Sequence, residues 1–416
     1  MKGHIKQSER DDNMRKLNVI ASAALATLFL TTIAARAGAP LLPPPPPEEP
    51  KGSSVRVVSH LPPAGTLDPS LQNEVRQAIS RGLAWLAANQ KPDGSWSDNN
   101  FPALTALPLM AFAAADAGER KPVIDKAVKY ILSCVQTNGS ICKDIPGRKG
   151  GGLPNYNTAI CMVALHSVNP EAHTKVILDA RKFVAGAQYF GDDEYKGGFG
   201  YDKDTKRAYT DALNTFYATE AIKTTAGRED KRDPSEKKVD INWDETVKYI
   251  ARMQNKPEAG EDAGGMYYNP TDPKAGMVTN KEGKVCFRSY GSITYAGMLA
   301  LVHANVSRDD VRVKSAFDWA SRNWTVDENP GMGQDALFFF LNVLTKSLAA
   351  YGQDVIPGKD GKTINWKSEV AKKLVSIQSV EPSGQGYWEN KVNRYWESDK
   401  VLCTAYSIIA LEKLLK

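Results

Sequence analysis

Histidine and cysteine are scarce in this chain, with five of each among 416 residues. No Cys-x-x-Cys occurs, and no Cys and His stand at zinc-ligand spacing, so neither a metal nor any other cofactor is expected. Five cysteines (Cys134, Cys142, Cys161, Cys286, Cys403) make an odd count. Cys134 and Cys142 flank a turn and are the best placed for a disulfide. The preferred reading is five small buried apolar residues. His166 and His303 fall near helix ends and read as surface residues. The most glycine-rich loop, around Gln334, lacks the Gly-Lys-Ser/Thr of a phosphate cradle. Charge of one sign is lacking too. The chain carries +5, and the first 37 residues hold six basic and three acidic groups, so +2 remains without them. That is too near neutral for a nucleic-acid partner. Strand-like alternation is almost absent, which leaves an all-α chain.

What is present begins with an address. Arg15 and Lys16 precede an apolar run, Leu17 to Ala35, and Ala35-Arg36-Ala37 is a small-x-small site. Residues 1–37 read as a signal peptide, with the polar segment before Met14 adding nothing to it. The mature protein is then secreted or periplasmic. An uncleaved segment would instead anchor it beside a membrane. Residues 38–70 form a linker, and its proline-rich part, Pro40 to Pro50, should be an extended tether. The folded part is expected over 71–416.

That part is repetitive. Arg81 to Trp96 carries Trp85 and Leu86 on one helical face, Gln90 a turn later, then Gly94 and Trp96. The aromatic-aliphatic pair with Gln returns at Phe183-Val184 with Gln188 and at Tyr249-Ile250 with Gln254. It returns loosely at Tyr130-Ile131 with Gln136, and at Leu374 with Gln378, where Lys373 replaces the aromatic. The Gly-x-aromatic turn returns at Gly197/Phe199, Gly265/Tyr267 and Gly386/Trp388. A second register, Thr-x5-Ala, appears at Thr105, Thr158, Thr215, Thr294 and Thr404. A fifth unit, around Gln334, has no Thr there. Six two-helix units follow, spaced as internal repeats are. The last helix, Val401 to Leu415, is apolar and no polar cap follows it, so unit six should close on unit one into a toroid.

The Arg81–Trp96 pattern resembles the Gln-Trp repeat of squalene-hopene and oxidosqualene cyclases, whose toroid is shared by protein prenyltransferase β subunits. The resemblance covers about residues 71–416. It implies an (α/α)6 toroid in which Gln90, Gly94, Trp96, Gln188, Gln254 and Gln378 are scaffold. It also implies a hydrophobic or isoprenoid-like ligand in the toroid cavity. The catalytic motifs of the resemblance are missing: the sequence has no Asp-x-Asp-Asp, no Asp two residues before a Cys, and no Cys-Gly-Glu-Gln. Toroids that cleave glycans use carboxylates, Tyr, Arg or His along a cleft, so a glycan ligand stays open. So does a protein-interaction scaffold. The oligomeric state is not legible.

Because every unit runs the same way, the loops before the second helices should share one mouth. They carry Tyr156 and Asn157, then Arg207, Tyr209 and Asp211, then Arg288 and Tyr290, and finally Arg394, Trp396 and Asp399. Asp211, Tyr209, Arg394 and Asp399 are the candidate catalytic groups. Tyr156, Asn157, Arg207, Arg288, Tyr290, Trp396 and Gln334 are the candidate ligand contacts. Arg forks and rings suit an anionic or sugar-like ligand, and helix N-termini add positive potential. The competing reading is structural: Asp211 and Asp399 as N-caps, Arg207–Asp211 and Arg394–Glu397 as loop-holding ion pairs.

Overall fold

A computed structural model describes residues 65–114, 118, 120–145, 151–202, 209–358 and 361–416. The expected signal, most of the linker and Arg207 lie outside the described residues. The fold opens with α1 (Pro69–Ala88), two residues ahead of the expected Leu71. Asp68 caps it, its Oδ1 accepting the Leu71 N–H at 3.0 Å, and Pro69 occupies the first turn, where its missing N–H is harmless.

Eleven further α-helices follow among the described residues: α2 (Ala103–Ala114), α3 (Lys121–Ser133), α4 (Pro154–Val168), α5 (Thr174–Ala185), α6 (Ala212–Thr224), α7 (Trp243–Arg252), α8 (Gly291–His303), α9 (Val311–Arg322), α10 (Leu337–Tyr351), α11 (Trp366–Ser376) and α12 (Lys400–Leu414). The even-numbered helices form an inner ring, each packing on the next, and α12 packs on α2 to close it. Odd-numbered helices lie outside, as where α5 packs on α4 and α6. Composition explains the division. In α8 every residue from Gly291 to Leu301 is buried, because an inner helix has neighbours on all sides. The outer α7 buries only Thr246, Tyr249 and Ile250, the stripe of a helix with one wet face. Three small antiparallel hairpins decorate the loops: β1 (Met277–Thr279) with β2 (Val285–Phe287), β3 (Ile356–Pro357) with β4 (Thr363–Ile364), and β5 (Ser379–Val380) with β6 (Gly386–Tyr387).

The two sequence registers meet in one joint in each of five units. Each threonine hydroxyl accepts a turn N–H: Thr105 from Trp96, Thr158 from Ile141, Thr215 from Phe199, Thr294 from Met266 and Thr404 from Trp388, all between 2.8 and 3.2 Å. Both partners are buried, so the bond satisfies a donor that water does not reach. The glutamine reaches the next unit. Gln90 Nε2 donates to Val123 O at 2.9 Å, Gln188 to Asn242 O at 2.9 Å, and Gln254 to Arg312 O at 2.8 Å. Gln378 Nε2 donates to Ala78 O at 2.8 Å, which ties unit six back to α1. Trp96 Nε1 donates to Leu86 O and Trp388 Nε1 to Leu374 O. Gly94 has φ +88°, and a Cβ there would lie 2.3 Å from Lys126 O in α3; only glycine fits. The equivalent glycine of the fourth unit is Gly264, 2.3 Å from Ser315 O on the same construction. The turn residue there is Met266 rather than Tyr267, so the motif sits one place earlier than Gly265/Tyr267.

All five cysteines are buried and free. Cys142 N donates to Cys134 O, placing these two beside one another. A buried ion triad binds the loop after α6 to α5: Glu229 accepts from Arg181 and from Arg232, both at 2.6 Å.

Candidate functional site

The inner helices are all entered from one end, and the groups gathered there form a network. Asp211 caps α6, taking the Asn214 N–H at 2.8 Å and the Asn214 amide at 2.7 Å. It is fully buried. Burial pushes its carboxyl up to about 6, against the pull of those bonds and of the Tyr268 hydroxyl. Tyr201, Tyr268 and Tyr290 surround it closely enough to feel its charge. Tyr290 stands at the N-cap of α8. Tyr209 donates to Asp272 Oδ2 at 2.8 Å, and burial plus that bond push its hydroxyl up to about 12. Asp272 also pairs with Lys274.

The sixth unit overhangs this network. Arg394 Nη1 pairs with Asp335 Oδ2 at 2.7 Å, not with Glu397. Glu397 is instead buried under α10, accepting the Phe339 N–H at 2.8 Å, the Phe338 N–H at 3.2 Å and the Asn390 amide at 2.8 Å. A carboxylate suits the positive end of a helix. Between them, Tyr395 (φ 63°) and Trp396 (φ 68°) both adopt left-handed backbone, yet their side chains are 42% and 49% exposed. Tyr395 lies under the guanidinium of Arg394 at 5.1 Å, within electrostatic reach of Lys274, Asp335 and Asp272. Trp396 meets Phe101, ahead of α2, edge to face at 5.3 Å. The turn therefore reaches toward units one, four and five.

A floor closes the lumen below. Tyr217 of α6 and Tyr406 of α12, opposite members of the ring, meet hydroxyl to hydroxyl at 3.2 Å. Tyr156 packs edge to face on Tyr217 at 5.1 Å and shares hydrogen bonds with both hydroxyls. Phe339 stands 5.9 Å from Tyr406 and 6.3 Å from Tyr217. The mouth is thus a bowl with an aromatic floor rather than the entrance to an open cavity.

Several expected contacts lie elsewhere. Asn157 is buried, with its Oδ1 taking the Ala103 N–H at 2.8 Å and its amide donating to Gly152 O and Leu153 O; it fastens α2 to the loop before α4 and has nothing left for a ligand. Gln334 turns onto its own loop, donating to Asp327 O at 2.8 Å. Asp399 caps α12 through the Val401 N–H and accepts the Ser97 hydroxyl. Arg288 is exposed, beside Asp262. His303 is not a surface residue: its Nδ1 is buried without a hydrogen-bond partner. Sequence reasoning missed Tyr201, Tyr268, Asp272 and Asp335, and of the floor it missed Tyr217, Phe339 and Tyr406. Clustering in the loops before inner helices could have signalled the first four; the floor residues lie inside inner helices and carry no such signal.

No protein-family model matches the chain, and no curated protein sequence does. Solved structures do. A variant of the type II terpene cyclase MstE from Scytonema, without ligand, has a TM-score of 0.51 at 12% identity, over 83% of this chain and 99% of that one. Another MstE variant, in complex with geranylgeranyl dihydroxybenzoate, has a TM-score of 0.50 at 11% identity, over 84% and 99%. An inactive variant of an alpha-1,6-mannanase of Salegentibacter sp. HEL1_6, in complex with alpha-1,6-mannotetrose, has a TM-score of 0.51 at 9% identity, over 83% and 99%. These likenesses show the fold: the chain is an all-α toroid of the kind terpene cyclases and this mannanase share.

Proposed function

We propose that the chain is an exported toroid that binds a small-molecule ligand in the bowl at the entry end of its inner helices. The ligand is one with an apolar face and several polar groups, of which a glycan is the best fit. The observation that carries this reading is the Tyr395-Trp396 turn. Two successive non-glycine residues in left-handed backbone are strained by about 1–2 kcal/mol each, and here they hold two large rings in water. Strain of this kind collects at ligand clamps. Exposed rings stack on the apolar face of a sugar, while Arg394, Asp335, Asp272 and Tyr209 offer charged and hydroxyl partners for its substituents. The mannanase relative in complex with a tetrasaccharide supports the class of ligand only as an analogy of fold.

A second reading has its own support. The floor of Tyr156, Tyr217, Phe339 and Tyr406 is aromatic, as an isoprenoid-like ligand requires, and burial raises the Asp211 carboxyl to about 6, toward the range of a proton-transferring group. Such a ligand would have to part the Tyr217–Tyr406 contact to descend.

Tryptophan fluorescence separates the two. Titration with alpha-1,6-mannotetrose is expected to give a saturable blue shift that Trp396→Ala abolishes. Saturation by a geranylgeranyl compound alone points to the second reading. No saturable change with either, nor with other oligosaccharides of different linkage, overturns the proposal.

A further inference from the structure

Below the tyrosine floor the lumen changes character. Glu220 lies one turn beyond Tyr217 on α6, and Lys346 of α10 reaches its Oε1 at 2.7 Å, past α8 that lies between them in the ring. Both side chains are nearly buried. Lys223, one turn further along α6, is half-buried; its Nζ donates to the neutral Asn305 Oδ1 at 2.7 Å, and it makes no ion pair among the described residues. Lys413, two turns beyond Tyr406 on α12, is exposed and makes no ion pair among the described residues. His303 of α8 lies among Glu220, Lys346 and Lys223, and Lys413 lies among Lys416, Lys346 and Glu220. Four inner helices therefore bring one cluster of charge to the far end of the ring.

The cluster does not balance. Four amines, Lys223, Lys346, Lys413 and Lys416, lie about one carboxylate, Glu220. Glu412 does not redress this: burial pushes it up to about 8, so it is largely uncharged at neutral pH. Burial likewise holds the His303 imidazole down at about 4 and neutral. Helix C-termini favour cations, and this accounts for the sign of Lys223 and Lys413, which stand in the last turns of α6 and α12. Lys346, in mid-helix, is accounted for by its pair with Glu220; an imidazole nitrogen buried with no partner is not accounted for.

We propose that this end of the lumen is a second ligand site, separated from the bowl by the tyrosine floor, for a small anion bearing a carboxylate or phosphate group. Lys413 and Lys223 supply the charge-assisted contacts, and the Lys346–Glu220 pair with His303 forms the base. Lysine suits this role as a mobile point charge. Because the site stands on the opposite side of the floor, it does not depend on the function proposed for the bowl.

The test is calorimetric titration of the full chain with inorganic phosphate, and separately with succinate, at pH 7 and at ionic strength held constant with sodium chloride. Saturable 1:1 binding is expected for at least one of the two. The double variant Lys223→Gln with Lys413→Gln should weaken it at least tenfold. Trp396→Ala, in the bowl, should leave it unchanged, and so should Lys248→Ala, whose lysine pairs with Glu245 on the outer surface. Each variant's thermal midpoint verifies folding, and single lysine variants replace the double one should it fail to fold. Absence of saturable binding for both anions overturns the proposal. So does equal weakening in Lys248→Ala, which would mark general screening.

Discussion

At the scale of single residues, burial decides which charges matter. Glu229 is the simplest case. Burial alone would raise its carboxyl, but hydrogen bonds from Arg232, the Val239 N–H and Arg181 outweigh it and hold it down at about 2. It is an ion at any physiological pH, and its partners are fixed. Asp211 is the opposite case. Burial outweighs the hydrogen bonds it accepts, so its carboxyl moves from the ordinary 3.8 up to about 6. The folded chain then keeps a proton that the unfolded chain releases between those two values. The stability this proton contributes is present below about pH 4 and is lost as pH rises through 6. Asp211→Asn keeps a good N-cap and has nothing to titrate. Chemical denaturation from pH 4 to 6.5 should therefore show the natural protein losing stability relative to the variant, by up to about 3 kcal/mol for a shift of this size. Parallel curves for the two proteins would mean that Asp211 is ionised throughout.

At the scale of elements, two local devices work in opposite directions. The threonine joint adds stability in every unit that has it. Thr215→Val keeps the shape but leaves the buried Phe199 N–H without an acceptor, at a cost of about 1–3 kcal/mol; urea unfolding measures it. The Tyr395-Trp396 turn costs stability. Tyr395→Gly relieves the left-handed strain and should raise stability by about 1 kcal/mol, while weakening ligand binding in the bowl by losing a stacking ring. A variant that is destabilised would show that Tyr395 is there for packing, and the reading of the turn as a clamp would fail. The sequence revealed the first device and hid the second. Thr-x5-Ala repeats at a fixed place, so its role could be sought in every unit. The turn occurs once, and nothing in Arg-Tyr-Trp announces a positive φ.

At the scale of the whole molecule, the closing joint is built like the others. Gln378 reaches Ala78 O as Gln90 reaches Val123 O. Trp85 Nε1, donating to Glu381 Oε1 at 3.1 Å, adds a second tie across the same seam. Gln378→Ala and Gln90→Ala should thus lower stability by similar amounts, of order 1–2 kcal/mol each for a part-buried amide whose carbonyl partner is left unpaired. If Gln378→Ala has no effect while Gln90→Ala does, the seam is frayed and the ring is open in solution. Closure also sets the two ends of the lumen apart. Tyr217 and Tyr406 are 189 positions apart in the chain, yet they meet because α6 and α12 face one another across six helices. That contact bridges the axis of the ring between its two ends.

What the sequence determined by itself was the architecture. Glycine at positive φ, a glutamine after most outer helices and a threonine near the start of five of the six inner ones are local requirements, and local requirements leave a periodic trace. The loops before the inner helices share one end of the ring, since direction is preserved when every unit repeats the same path. Which side chains face that end was decided only by tertiary structure. Asn157 and Gln334 read as ligand contacts, yet Asn157 fastens α2 to the loop before α4 and Gln334 turns onto its own loop. Arg394 turned to Asp335, and Glu397 went beneath α10, because a helix N-terminus from another unit lay within reach. Partners of that kind come from chain segments about 60 residues away or more, and no spacing rule within one unit encodes them. The aromatic floor and the lysines beyond it have the same origin: both arise where helices from separate units converge on one axis.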